Sequence, residues 1–532
     1  MNNFREELNS ALKYITENKK DKAIEILKNI ISKDNKNFIS FFYLGNIYFE
    51  KKNYEFSKKN LNQAISIKPN FAEAYNSLGL VYSNLQNFVK AEQLFSKAIE
   101  INQNIPDAYN NLGIIKRDQD DTSSAAVFFN KAIEKNKKYF SAYINLMELY
   151  ERTNQNDLLE EIINKSDDVF FNNKINKLYR GKLYYKKKKY AETIKILDQL
   201  KFNESEEIFE NARLLILAKS FDKIALFKDA FNYFKKMNDL SLSNLSSNQI
   251  KEKYNSEITI RKNYFIGLED TPWKEIKYNS NEDPVFMVGF PRSGTTLLDT
   301  ILRSHQYIEV LEEKPILETL IFETQKLTHG NFSELNKLNE TDLKRLQTIY
   351  FDKRKNYLNT DVSNKIIIDK LPLNIFYVPE IIRVFPKAKF IFSLRHPYDC
   401  VLSCYFQNFK LNGPMSNFLN LKEAAYFYNV VMKIWTHYNK IFKLKVCNLK
   451  YEDLVYSFES STRKVINFLE IQWSEELYNF NEIAKKRRIT TPSYFQVTEP
   501  INNKAVDRWK NYESQISDIK PIIEKWIGFF KY

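Results

Sequence analysis

The sequence predicts an α-solenoid of helical repeats followed by a P-loop-like α/β domain with a parallel sheet. Three observations carry this expectation. A 34-residue period of small and aromatic residues runs through the first half. A short apolar run, Pro284-Val285-Phe286-Met287-Val288-Gly289, feeds a tight loop and then helical apolar spacing from Leu297 onward. Two more apolar runs, near residues 367 and 391, read as strands separated by helical stretches, which places ligands at strand C-termini.

At 532 residues the chain is too long for one ordinary core. The expected division is 1–240 for the solenoid, 241–282 for a connecting helix and linker around Pro272, and 283–532 for the α/β domain. Hydrophobic content of 43% and charged content of 27% are ordinary for a globular chain. The net charge of +14 comes from lysines interspersed with Asp and Glu, as on solvated helix faces. No stripe of basic and aromatic residues accompanies them, so no nucleic-acid partner is expected. The positive balance suits an anionic small molecule or an acidic substrate. No run approaches the roughly 18 apolar residues of a membrane span, and the N-terminus lacks the apolar stretch of a secretory signal. Three cysteines make neither a disulfide framework nor a zinc site, so a cytoplasmic location is expected.

Tyr75, Leu78, Gly79, Tyr82, Ala91, Phe95 and Ala98 define one repeat unit. The preceding unit has Phe41, Leu44, Gly45, Tyr48, Ser57, Leu61 and Ala64, and the next has Tyr109, Leu112, Gly113, Lys116, Ala125, Phe129 and Ala132. Gly and Ala fall where two helices of a hairpin approach most closely, and aromatic and Leu side chains fill the gaps between hairpins. The pattern resembles the tetratricopeptide repeat. It weakens near Tyr179, Gly181 and Tyr184, then returns at Ala218, Phe221, Ala230 and Phe234, for about seven hairpins ending near residue 240. Asp239-Leu240-Ser241-Leu242-Ser243-Asn244 reads as a break. The concave face of such a stack is expected to hold a protein or peptide; packing on the second domain is the other reading.

The loop Gly289-Phe290-Pro291-Arg292-Ser293-Gly294-Thr295-Thr296 opens a helix, so its N–H groups and dipole make an anion site. It has the glycine spacing of a Walker A loop, but Thr295 stands where the nucleotide-binding Lys would be, which argues against a nucleoside triphosphatase. Arg292 instead offers a forked cation for phosphate or sulfate oxygens. The segment Pro291–Leu297 resembles the 5′-phosphosulfate loop of sulfotransferases, above all the tyrosylprotein and bacterial tetratricopeptide-repeat kinds. The resemblance implies 3′-phosphoadenosine 5′-phosphosulfate as co-substrate, held by Arg292, Ser293, Gly294, Thr295 and Thr296, and no metal. Arg395 ends the run Lys389–Leu394, and Ser403 lies eight residues on; the resemblance gives both to the 3′-phosphate. It brings Ser493 and Arg508 to the phosphates from a covering segment. It sets Tyr451 beside the adenine, with packing at a strand end as the alternative.

Sulfuryl transfer to a hydroxyl needs a base and positive charge around the moving group. In the resembling family a Gly-Glu-Glu segment supplies the base. Leu311-Glu312-Glu313 matches it with Leu for Gly, which makes Glu313 the candidate base. Lys370, at the end of Ile366-Ile367-Ile368-Asp369, matches a family Lys that contacts the sulfuryl group, with Arg292 beside it. His305 is the rival base, although it ends the loop helix where a capping His is favoured; His396 is expected to be structural. The acceptor hydroxyl could belong to a peptide tyrosine, which the resemblance favours, or to a carbohydrate. The alternative reading is a repeat-based interaction scaffold with a nucleotide-binding but inactive domain.

Overall fold

The computed structural model describes residues 4–243, 245–273, 283–358, 362, 364–485 and 500–532. Two compact units, Met1–Leu200 and Lys201–Tyr532, make up the chain.

The first unit is a stack of antiparallel helix pairs. Its close approaches are where the period put glycine: a Cβ on Gly79 or Gly113 would lie 2.5 Å from the ring of Phe95 or Phe129 of the second helix. Those rings are buried and fill the space that a side chain on the first helix would need. Each turn uses the same device. Within each hairpin one residue goes left-handed, the next is the cap, often Asn or Asp, and the second helix starts two positions on, as when Asn53, Asn87 and Asp121 accept from Phe56, Lys90 and Ser124 N–H. The left-handed residues at these turns are Asn18, Lys52, Gln86, Asp120, Asn154 and Lys188, one per repeat and in phase with the sequence period; Asn172, between two hairpins, is left-handed as well and out of that phase.

The next left-handed turn residue is Ala225, three positions late. The lag arises because the first helix of this hairpin, Glu207–Lys223, has 17 residues, whereas its counterparts Ala72–Asn84 and Pro106–Asp118 have 13. The hairpin of Glu207–Lys223 and Phe227–Leu242 therefore keeps the repeat's shape but falls in the second unit. There Phe234 stacks on Phe406 with ring centroids 4.1 Å apart, and Asn238 Nδ2 donates to the Tyr405 carbonyl at 2.9 Å. The break expected over 239–244 is shorter than its composition suggests. The helix runs to Leu242, and the buried Ser241 hydroxyl is satisfied within the helix by the Met237 carbonyl.

The connecting helix, Leu245–Ile266, is part of the second unit's core rather than a free linker. Arg261 makes a two-pronged ion pair with Glu380, at 2.8 and 2.7 Å, with both side chains buried. One turn and a half earlier, the Asn255 and Asn417 amides bond reciprocally at 2.9 and 3.1 Å. Asn255→Ala leaves the buried Asn417 Oδ1 without its donor, while Asn417 Nδ2 keeps the Gly413 and Pro414 carbonyls, and it is expected to cost about 1–3 kcal/mol in urea unfolding. Asn255→Asp, which keeps only the acceptor, should fall between that variant and wild type.

Five parallel strands form the sheet: β1 (Val285–Gly289), β2 (Ile308–Glu312), β3 (Ile366–Lys370), β4 (Lys389–Leu394) and β5 (Lys445–Lys450), in the order β2-β3-β1-β4-β5. β1 is central and buried throughout. Phe286 and Val288 face one apolar core and Val285 and Met287 the other, as the two-residue pleat requires. Because the chain goes from β1 to β2 and β3 on one side and then crosses to β4 and β5 on the other, the C-terminal edge opens at a topological switch point. Among the described residues, no helix is long and apolar enough to cross a membrane.

Candidate active site

All five strands deliver residues to this edge. β1 ends in the glycine-spaced loop, whose carbonyls are tied down from behind. The Cys400 and Cys404 thiols both donate to Pro291 O, at 3.3 and 3.2 Å. Arg395 Nη1 donates to Arg292 O at 3.2 Å, and the Ser393 hydroxyl to Ser293 O at 2.9 Å. With the loop so held, Arg292 takes a left-handed backbone, at φ 68°, which is uncommon for a non-glycine residue with a bulky side chain. Gly294, at φ 102°, caps the helix Thr295–Leu302, and a Cβ there would strike the Tyr451 ring at 2.8 Å. The helix's first turn, with its N–H groups, reaches a cavity of about 720 Å³ through Thr295, Thr296 and Leu297.

The charge at this edge is positive. Arg292 Nε donates to Ser403 Oγ at 3.1 Å. Burial, and after it the charge of Arg395, pushes the Arg292 guanidinium down to about 10, with Arg508 adding to the effect. It stays cationic at neutral pH, so cations gather here at an electrostatic cost that an anion would relieve. The Arg395 guanidinium lies 5.1 Å over the Tyr451 ring, and its Nη2 donates to the Ala505 carbonyl. Its Nε and the Ser293 hydroxyl are buried with no hydrogen-bond partner among the described residues. Unpaired buried donors, a helix N-terminus and clustered guanidinium groups fit a ligand rich in phosphate oxygens.

β2 and β3 supply the acid–base side. Glu312 pairs in register with Lys370, and the chain then turns sharply at Glu313, where φ is 50° and the N–H donates to Lys370 O at 2.8 Å. The position that the resemblance marked for glycine, Leu311, is ordinary strand; the left-handed residue is Glu313 itself. The turn aims the Glu313 carboxylate at the cavity with 42% of its side chain exposed, so a ligand can reach it. Lys370 Nζ, wholly buried, lies beneath it at 3.1 Å from Glu313 Oε1, 3.3 Å from Glu312 Oε1 and 4.0 Å from Asp299 Oδ2. Burial alone would push this ammonium down, but Glu313, Asp299 and Glu312 more than offset it and hold Lys370 above the usual lysine range. The rest of the lining mixes the apolar side chains of Tyr254, Leu373, Tyr377, Phe409 and Met415 with the polar ones of Glu318, Asn374, Asn408, Lys410 and Asn412.

Asp369 points to the other face of β3, where the Tyr350 hydroxyl donates to its Oδ2 at 3.2 Å. Burial pushes this carboxyl up to about 7. Its folded value lies above the unfolded one, so the native state holds the proton more tightly between about pH 4 and 7. Stability is therefore expected to fall as pH rises through that window. Urea midpoints of wild type minus Asp369→Asn should show this slope, and a flat difference would contradict it.

Residues 284–475 match the sulfotransferase family, and residues 45–86 and 72–105 match tetratricopeptide repeats. The chain carries a sulfotransferase domain and tetratricopeptide repeats. An uncharacterized protein of Aquifex aeolicus (strain VF5) is 30% identical over 253 residues, which are 47% of this chain and 33% of that protein. The protein-tyrosine sulfotransferase of Drosophila melanogaster is 25% identical over 296 residues, 50% of this chain and 55% of that one. The chain thus spans about a third and about half of these relatives' lengths. The solved sulfotransferase domain of the Synechococcus PCC 7002 olefin synthase is 21% identical with a TM-score of 0.33, covering 45% of this chain and 90% of that one.

Of the sulfotransferase-domain residues singled out in the sequence, Arg292, Gly294, Thr295, Thr296, Glu313, Arg395 and Tyr451 line the cavity. Ser403 and Lys370 stand behind it, each buried and bonded to a lining residue, Arg292 and Glu313 respectively, and the buried Ser293 lies in the loop between the lining residues Arg292 and Gly294. Arg508 is ion-paired to Asp222 at 2.9 Å. Ser493 lies outside the described residues. Both nitrogens of His305 are engaged elsewhere: Nδ1 accepts from Tyr307 N–H at 3.2 Å, and Nε2 meets the Gln472 carbonyl at 2.8 Å. This bonding assigns the Nε2–H tautomer and leaves no lone pair for a base. His396 stacks on Trp509 at 5.2 Å, and burial pushes it down to about 4, so it is neutral and structural. Asp299, Glu312 and the two thiols behind Pro291 were not marked by the sequence, because no motif announces a side chain that acts through a neighbour.

Proposed function

We propose that the chain transfers a sulfuryl group from 3′-phosphoadenosine 5′-phosphosulfate to an acceptor hydroxyl, a peptide tyrosine first among the candidates. The observation that carries this reading is that Glu313, backed by Lys370, opens on the same cavity as the cationic loop and helix N-terminus. The donor supplies a sulfuryl group on a phosphate leaving group. Arg292, Thr295, Thr296 and the helix N–H groups would hold its 5′ end, Arg395 and Ser403 its 3′-phosphate, and Tyr451 its base. The buried Ser293 hydroxyl and Arg395 Nε, without protein partners, suit that ligand.

Glu313 takes the proton from the acceptor hydroxyl as the oxygen attacks. Lys370 fixes the carboxylate's direction and adds positive charge beneath the site. The rings of Tyr254, Tyr377 and Phe409 offer flat apolar faces to a phenol. Relatives at 22–25% identity that are named protein-tyrosine sulfotransferases support the same choice. A peptide partner on the repeats fits this acceptor, and three buried free cysteines fit a reducing cytoplasm.

Incubation with radiolabelled donor and a panel of tyrosine peptides and oligosaccharides tests the reading. Label on peptide hydroxyls supports it and label on sugars alone moves the acceptor. Binding of 3′-phosphoadenosine 5′-phosphate without transfer to any hydroxyl would favour an inactive scaffold.

A further inference from the structure

The hairpin at residues 207–242 has the shape of a repeat, yet it is fastened to the helix that carries Ser403. Phe234 stacks on Phe406, Asn238 holds the Tyr405 carbonyl, and the first helix ends with Asp222 beside Arg508. Asp222 is itself fixed, since the hydroxyl of the fully buried Tyr512 donates to its Oδ1 at 2.6 Å. Arg508 Nη2 meets the same oxygen at 2.9 Å, and its guanidinium lies over the Phe406 ring at 5.1 Å. Phe406 closes the helix Pro397–Tyr405, less than one turn beyond Ser403.

A guanidinium has five donors in a planar fork, so one ion pair sets its plane without exhausting it. An arginine left loose beside Arg292 and Arg395 would be driven outward by their charge. Asp222 counters that repulsion through its ion pair with Arg508. We propose that Asp222 is a positioning residue for the donor nucleotide, holding Arg508 at the rim of the cationic cluster so that a phosphate meets it already in place. The last repeat-shaped hairpin is then a working part of the nucleotide site. This rests on the nucleotide reading above.

Calorimetric titration of 3′-phosphoadenosine 5′-phosphate into the full chain tests it. Asp222→Asn is expected to weaken binding about tenfold, with Asp222→Glu recovering most of the loss. Arg508→Ala should weaken it at least as much, and the Asp222→Asn, Arg508→Ala double variant should bind no worse than Arg508→Ala alone. A fold defect would instead lower affinity additively and resist rescue by Glu. Additive losses, unchanged binding by Asp222→Asn or tighter binding by it each overturn the proposal. If Arg395→Ala also binds like wild type, the nucleotide reading itself fails; if only Arg508→Ala does, this positioning role fails alone.

Discussion

Glu313→Gln is expected to lower the transfer rate about 10²–10⁴-fold, the usual worth of a positioned base. The amide keeps the shape of the carboxylate and an oxygen for Lys370 Nζ, now 3.1 Å from Glu313 Oε1. It cannot take a proton. Its affinity for 3′-phosphoadenosine 5′-phosphate should stay within about threefold of wild type, because neither the cationic loop nor Arg395 touches this side chain. Single-turnover transfer from radiolabelled donor separates the two quantities. A Gln variant that transfers at the wild-type rate would remove Glu313 from the chemistry. His305 could not take its place, with both ring nitrogens bonded to backbone.

Arg395→Ala is expected to weaken 3′-phosphoadenosine 5′-phosphate about a hundredfold, from about 1.5–3 kcal/mol per charge-assisted bond. The residue also supports the loop through Arg292 O and the Ala505 carbonyl, so its loss slackens two walls at once. Arg395→Lys separates these roles. It keeps the charge but loses the fork, and it should fall between Ala and wild type. Titration calorimetry at two salt concentrations reads the charge contribution, which shrinks as salt rises. Equal affinity of Arg395→Ala and wild type would place the nucleotide elsewhere.

Much of this architecture can be read from the chain because its signals are local. β1, β3 and β4 are continuous apolar runs that end where a charged or glycine-rich turn begins. The repeats announce themselves because each Gly is matched by one bulky ring a fixed distance on. β2 escapes such a reading. Glu309 and Glu312 interrupt it, and their reasons lie in other segments: Glu309 meets Arg303 and Lys365, and Glu312 meets Lys370. The surroundings of Lys370 are illegible for the same cause. Parallel register, not sequence distance, brings Glu312 opposite it, and a helix turn adds Asp299. Arg508 shows the limit most clearly, since its partner Asp222 belongs to a hairpin that the period counts among the repeats.

The late seventh turn has an evolutionary side. Up to Lys188 every unit is interchangeable in length, so recombination can add or delete whole repeats without altering the phase of those that remain. After it, the longer helix Glu207–Lys223 fixes Asp222 against Arg508, and one residue gained or lost there would rotate Asp222 off its partner by about 100°. The constant spacing before Leu200 would let repeats be gained or lost as whole units, whereas the final hairpin is tied to the sulfotransferase domain through Asp222 and Arg508.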